Sequence, residues 1–341
     1  MKKRILVATH EYAGIYKNII FDLESCNYEV YTLIYRDFSS KKLRSIKDWF
    51  SYKYEKKILK NKNAKQKIRD RNQEQDLLKK IISFPDNHFD CLFVIRADLF
   101  TIQVMNELVR ISKFKFSYHW DGINRFPDIL KRINYFDSFY VFEQKDFDEY
   151  SIKFDNIGLA TNFYFKSKNK TTNTYSFDVF YIGSYINDRY IELFDIYKKL
   201  APYNLNTKFM LHTNNKEFLN TQRHEGVILF DESMEYSDIL ELSKKSKIIL
   251  DLVIKGSGSH KGLSLRFFEA LNHKNKIITD NTEVLKYDFY HPQNIFILGY
   301  DNFDNLETFI KKEFLALPEE ILIKYSFINW FNAKLNSTPT I

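Results

Sequence analysis

Side chains able to do chemistry gather in two stretches of this sequence. In the run HWDGINRFP, His119, Trp120, Asp121, Gly122 and Arg125 bring an imidazole, an indole, a carboxylate and a guanidinium close together. An indole face stacks on the apolar side of a sugar ring while charged groups bind its hydroxyls, and Asp121 is the first candidate to accept a hydroxyl proton. Its rival role is local, as a helix cap or an Asx turn. His10 and Glu11, closing the apolar run RILVAT, form a second candidate pair for proton transfer or for orienting a hydroxyl. The alternative for them is simply to satisfy the backbone of a turn.

The second stretch, IILDLVIKGSGSHKGLSLRFFEALNHKNKIITDNTEV, covers 248–284 and supplies Lys255, Ser259, His260, Lys261, Arg266, Glu269, Asp280 and Asn281. It reads as an apolar strand at 248–253, a Gly/Ser-rich loop at 255–262, a helix with Leu265, Phe268 and Leu271 on one face, and a strand at 276–279. Cations around a loop that opens a helix suit a phosphate or diphosphate, because the helix's first N–H groups are free and its dipole favours negative charge. Each of these Lys and Arg side chains also suits plain solvent, and Arg266 could instead cover Glu269, three residues on.

Such groups need a scaffold to hold them. Apolar runs at 4–9, 28–35, 90–95, 114–118, 137–142 and 156–159 read as strands, as do 177–182, 208–212, 227–230, 248–253, 276–279 and 294–298, with amphipathic helices between them. Alternating strands and helices imply parallel sheets, which bind ligands beyond the carboxyl ends of their strands. The fold class is therefore α/β, with two domains and a central cleft. The expected organisation is an acceptor-side domain at 1–160 with a basic helical insertion at 41–80, a linker at 161–176, a second domain at 177–315, and one helical segment from 318 to 335 within a 316–341 tail. Gly183 and Ser184 follow the first strand of the second domain and would let a ligand approach the backbone, with Arg189 on the next helix. Gly after a strand also occurs in ordinary turns. The first domain lacks the G-x-G-x-x-G fingerprint, and no G-x-x-x-x-G-K-[S/T] phosphate loop occurs.

Composition bounds the rest. Of 341 residues, 44% are hydrophobic and 28% charged, which fits a folded chain and excludes a disordered one. Cys26 and Cys91 have neither metal-ligand spacing nor a disulfide framework, so a reducing compartment is expected. The start MKKRILVATHEYAGI reads as a first strand rather than a signal peptide, and no apolar run is long enough to span a bilayer. The net charge of +7 is uneven: 41–80 holds fifteen Lys/Arg and five Asp/Glu. That patch suits an anionic membrane surface or a solvated helical face, and no specific nucleic-acid partner is expected. Localisation is expected to be cytoplasmic, with peripheral attachment to the inner face of the membrane left open.

The text HKGLSLRFFEALNHKNKIITDN resembles the donor-binding half of nucleotide-sugar glycosyltransferases of the GT-B arrangement, and FDVFYIGSYINDRY shares that likeness more weakly. Bacterial members of this kind build lipopolysaccharide, lipooligosaccharide, capsule and other surface glycans. The resemblance implies two facing Rossmann-like domains, a nucleotide-sugar donor, no metal or other cofactor, and a glycan or lipid-linked saccharide acceptor. It also implies Glu269 on the donor ribose, the Gly/Ser loop at the diphosphate, and Asp280 and Asn281 facing the cleft. Where the family has a second glutamate, with seven residues between the pair, this chain has Lys261, so a double-Glu argument for retaining chemistry does not carry over. An inverting reaction would need a base, Asp121 before Glu11 or His10. A sugar-nucleotide epimerase and a non-catalytic binding protein share the same expectations of fold.

Overall fold

Runs of apolar residues long enough for a strand but too short for a helix set the architecture. FDCLFVI is the clearest: five of its seven residues are β-branched or aromatic or aliphatic and buried on both faces, as a central parallel strand requires. The computed structural model describes residues 2–36, 45–166, 175–221, 226–253 and 261–336. Its strands are β1 (Arg4–His10), β2 (Glu29–Tyr35), β3 (Phe89–Ile95), β4 (Ser112–His119), β5 (Ser138–Val141), β6 (Ile157–Leu159), β7 (Phe177–Ser184), β8 (Thr207–His212), β9 (Val227–Phe230), β10 (Ser246–Asp251), β11 (Lys276–Thr279) and β12 (Ile295–Ile297). Its helices are α1 (Tyr16–Ser25), α2 (Ile46–Lys57), α3 (Ala64–Ile81), α4 (Ile102–Arg110), α5 (Gln144–Tyr150), α6 (Asn187–Leu200), α7 (Lys216–Thr221), α8 (Tyr236–Lys244), α9 (Leu265–His273), α10 (Leu306–Lys311), α11 (Glu319–Lys324) and α12 (Phe327–Asn336).

Two six-stranded parallel sheets result, ordered β2-β1-β3-β4-β5-β6 and β12-β11-β10-β7-β8-β9. Read from β9, the second has the 3-2-1-4-5-6 order of a Rossmann domain. The direction in which successive strands are added reverses between β1 and β3 in the first sheet and between β7 and β10 in the second. Ligands settle at such switch points, which here are flanked by His10 and Arg96, and by Ser184 and Asp251.

Each sheet is covered on both faces. In the first, Leu6, Ala8, Leu92 and Val94 point to one apolar layer, while Ile5, Val7, Cys91, Phe93 and Ile95 point to the other. That second layer includes Phe327, Trp330 and Phe331 of α12, so the end of the chain returns to the first sheet. Trp330 Nε1 donates to the Thr161 carbonyl at 2.9 Å, and Tyr28 Oη to Asn332 Oδ1 at 2.7 Å.

One expectation needs correction. The segment from 318 is not one helix but α11 and α12, broken where Tyr164 and Ser326 form a β-bridge. Tyr164 N–H donates to the Tyr325 carbonyl at 3.0 Å and Phe327 N–H to the Tyr164 carbonyl at 2.8 Å, taking backbone groups that a continuous helix would need. The expected linker at 161–176 is packed along most of its described start, 161–166. Asn162, Phe163, Tyr164 and Phe165 are buried, because an aromatic run between two sheets gains more by packing than by exposure.

Candidate active site

At the carboxyl end of the first sheet, Arg96 follows β3 in the left-handed region (φ 62°). This turns its side chain across the strand ends. Its Nε and Nη2 donate to the two oxygens of Asp98 at 2.8 and 2.7 Å, and Nη1 donates to Asp121 Oδ2 at 3.0 Å. Asp121 Oδ1 in turn accepts from Arg125 Nη1 at 2.9 Å, and the Arg96 guanidinium lies 3.5 Å over the Phe126 ring. Both Asp121 oxygens therefore hold guanidinium groups. Asp121, the first expected proton acceptor, is the brace between two arginines and does not cap the turn that follows it.

Two histidines flank this network. His119 is fully buried with neither ring nitrogen hydrogen-bonded, its Nδ1 3.9 Å from Asp98 Oδ1. His10 stacks on Tyr12 and meets the edge of Trp120, and its Nδ1 is buried without a partner. Burial, and for His10 next the Arg96 charge, lowers both imidazoles to about 4, so both are neutral at pH 7. Glu11 is exposed and turns toward Arg36, 3.6 Å away, which separates it from His10's surroundings.

Glu143, directly after β5, escaped the sequence reading. It is 7% exposed, receives the Lys261 backbone N–H, and has an Oε1 with no hydrogen-bond partner. Burial, then the neighbouring Asp146, raises its carboxyl to about 7. Asp146 is buried and accepts from the Ile123 N–H at 2.8 Å, fixing the turn after Gly122. Oε1 of Glu143 faces that turn: a Cβ on Gly122 would stand 3.7 Å from it.

The second sheet's domain meets this wall at Lys261, Gly262 and Leu263. Lys255, Ser259 and His260 lie outside the described residues, but the loop's two ends are defined. Asp280 Oδ1 accepts from the Val253 N–H at 2.8 Å, and Asn281 Nδ2 donates to the Lys261 carbonyl at 3.0 Å. The two residues after β11, expected to face the cleft, thus hold the described ends on either side of 254–260. Beyond them, Gly262 lies against Phe142 of the first sheet, where a Cβ would come within 2.3 Å of the ring. Asn162 Nδ2, its own Oδ1 held by Tyr118, donates to the Leu263 carbonyl at 2.8 Å. The loop exit is therefore one place where the two domains touch, another being the Lys17–Glu235 ion pair at 2.8 Å.

Next to it α9 begins. Ser264 is the N-cap residue, but its hydroxyl makes no cap and donates instead to Asp251 Oδ1 at 2.7 Å. Arg266 Nη1 donates to the same oxygen at 2.8 Å, and its guanidinium carbon is 5.3 Å from the Tyr181 ring centre. Arg266 is thus aligned by Asp251, not by Glu269. Gly183 is explained by Tyr181, whose hydroxyl fills the space a Cβ would need (2.7 Å) and has no hydrogen-bond partner. Close ligand approach, the expected reason for Gly183, is thus not the one the packing supplies. Arg189 Nη1 reaches the Ser184 carbonyl at 3.4 Å, at the β7 side of the switch point.

Glu269 does not reach the opening. It is 4% exposed and accepts a short hydrogen bond from Tyr236 Oη, deep between α8 and α9. Burial raises its carboxyl to about 7, partly offset by that bond and by Arg266. The expected ribose contact is corrected accordingly: in this structure Glu269 is a buried partner of Tyr236. Among the described residues no group of three or more His, Cys, Asp or Glu side chains is placed to hold a metal ion. No described helix is long and apolar enough to cross a membrane.

No family model matches the sequence, and a search of curated proteins finds no match. Solved structures are similar in fold. A UDP-forming trehalose-phosphate synthase from Burkholderia xenovorans superposes with a TM-score of 0.57 over 100% of both chains at 8% identity. An alpha-glucosyltransferase in complex with UDP and DNA gives 0.52 over 98% of this chain and 93% of that one at 11% identity. The UDP-GlcNAc 2-epimerase of Methanocaldococcus jannaschii gives 0.51 over 97% and 98% at 14% identity. Likeness at these identities is one of architecture: two Rossmann-like domains in a GT-B-like arrangement.

Proposed function

We propose that the protein is a metal-independent glycosyltransferase that moves a sugar from a nucleotide-sugar donor to a glycan or lipid-linked acceptor of a cell-surface polysaccharide. The donor diphosphate lies against the uncapped amino end of α9 beside the Gly/Ser loop, with Arg266, Lys261 and Arg189 as the cations. Departure of a nucleoside diphosphate develops negative charge, which aligned amides and fixed guanidinium groups stabilise without reorganising. The acceptor lies on the first sheet, between Trp120 and the Arg96 network.

The observation supporting this reading is the junction itself: the exit of the loop, at Lys261 and Gly262, rests on a carboxyl group held near neutrality. A carboxyl with its pKa near the working pH is best suited to take a hydroxyl proton. Glu143 takes the role of base in place of Asp121, and displacement at the anomeric carbon then proceeds with inversion. Domain contact through Gly262 and Asn162 keeps water from the sugar.

A mass-spectrometric screen of nucleotide sugars against lipid-linked glycans and short saccharides tests the proposal. One added glycosyl unit on an acceptor, with release of a nucleoside diphosphate, is the expected result. Interconversion of the sugar nucleotide without acceptor would make the protein an epimerase, and tight nucleotide binding with no turnover would make it a binding protein.

A further inference from the structure

Helix α2 is built inside out. Its inward side is polar. Asp48 Oδ2 accepts from Asn72 Nδ2 at 2.9 Å and its Oδ1 from Arg71 Nη2 at 3.4 Å, while Glu55 accepts from Lys67 Nζ at 2.6 Å and Asn61 Nδ2 at 3.0 Å. Its outward side carries Ile46, Trp49, Phe50, Tyr54 and Ile58, which are 77%, 47%, 63%, 54% and 65% exposed. At 3.6 residues per turn these positions recur on one stripe, the reverse of a surface helix that covers a core. Its partner α3 behaves ordinarily, burying Ile68, Leu77 and Ile81. The hairpin is therefore anchored through α3, and α2 offers its apolar face outward.

Charge identifies what fits that face. Lys53 and Lys57 fall within the stripe, and the Lys53 ammonium lies 5.1 Å from the Trp49 ring centre, its stem along the apolar surface. The surrounding 41–80 segment holds fifteen basic and five acidic residues. A protein helix would match the apolar stripe but strand the lysines inside it. Nucleic acid would match the lysines but leave Ile46 and Ile58 in water. An apolar layer beneath anionic headgroups matches both.

We propose that α2 docks the protein on an anionic phospholipid surface, its apolar face in the headgroup boundary and its lysines on phosphates. Thr101, just past the carboxyl end of β3, donates to Glu74 of α3, which sets the hairpin at the cleft end of the first sheet. A membrane there would present a lipid-linked acceptor to that sheet, a consequence that rests on the function proposed above. Docking itself does not.

Sedimentation of the full chain with vesicles tests this. Phosphatidylglycerol-containing vesicles should capture it at least about tenfold better than phosphatidylcholine alone, with a blue shift of Trp49 emission. Trp49→Ser with Phe50→Ser, and separately Lys53→Glu with Lys57→Glu, should each weaken capture about tenfold or more and leave the melting temperature and transfer to soluble acceptors unchanged. No capture by either vesicle, or capture indifferent to both double variants, overturns the proposal. So does a dimer that the Trp49/Phe50 variant dissolves, which would make the occupant a second copy. Salt-sensitive binding to duplex DNA without vesicle binding overturns it too. Because vesicle capture is read without any donor, its failure is distinct from a failure of sugar transfer.

Discussion

The carboxyl ends of the two sheets carry charge in opposite ways. The first is a closed lattice: Arg96 is shared between Asp98 and Asp121, Arg125 closes the far side, and two neutral histidines and a near-neutral Glu143 fill the gaps. The second frames the two ends of a loop, with the guanidinium–carboxylate pair Arg266–Asp251 at the switch point and those ends held by Asp280 and Asn281. Charges locked to one another make a wall of fixed shape. The amino end of α9 has no side-chain cap, because the Ser264 hydroxyl turns to Asp251. Under the function proposed above the difference is a division of labour: the first sheet sets protonation states, and the second receives an anion.

The test with the largest expected effect bears on the wall. Glu143→Gln keeps the shape and an acceptor for the Lys261 N–H but cannot take a proton. Turnover should fall about 10²- to 10⁴-fold while nucleotide affinity holds. In the parent, activity should rise with pH through about 7 as Glu143 ionises, and the variant should lack that limb. A pH profile shared by parent and variant would remove Glu143 from the chemistry.

Next in size is the asymmetry in stability. Arg96→Met leaves Asp98 and Asp121, whose side chains are 8% and 16% exposed, without their shared cation. Breaking a buried pair from one side costs about 3–5 kcal/mol. Arg266→Met strips only one carboxylate, from a guanidinium that is 28% exposed, and should cost roughly 1.5–3 kcal/mol. Urea unfolding of the two variants checks this, and equal losses would erase the contrast between lattice and frame.

Glu269→Gln sharpens the comparison through pH. Glu143 and Glu269, both raised to about 7, add stability that is complete below their unfolded values near 4.5 and lost as pH climbs through 7. His10, His119 and His273, lowered to about 4 chiefly by burial, act the other way: their contribution is present above 6.5 and lost as pH falls through 4. The two groups oppose each other between about 4.5 and 6.5. Removing the Glu269 carboxyl should raise stability at pH 8 relative to pH 5 by about 2 kcal/mol compared with the parent. Thermal melts at the two pH values would expose an ordinary, solvated Glu269 by showing no change.

What the sequence disclosed and what it withheld follow from range. β10, α9 and β11 were legible because strand length, apolar content and the 3.6-residue period are local properties. The α/β class followed from their repetition. Glu269 stands on the helix where it was expected, yet its environment is made by Tyr236, thirty-three positions away, and by the packing of α8 on α9. Glu143 drew no notice because its surroundings, Lys261 and Gly122, are distant in sequence. Asp121 drew notice for its neighbours in sequence, but one of its two partners, Arg96, comes from another strand. The return of α12 to the first sheet had no local signal at all.

The smallest expected effect concerns Lys261, where wall and frame meet. Its backbone is committed on both sides, N–H to Glu143 and carbonyl to Asn281, whereas its side chain is exposed. Lys261→Met keeps the backbone contacts and removes only the ammonium. Stability should stay within about 0.5 kcal/mol, as for surface substitutions away from special features. Donor affinity should drop about three- to tenfold, the size of one partly solvated charge-assisted contact to phosphate, and the loss should shrink with added salt. Glu143→Gln shows the reverse pattern, losing rate and keeping affinity. Titrating the nucleotide against both variants at two salt concentrations separates them, since a Lys261 side chain that merely meets solvent would leave the isotherm and its salt dependence where they were.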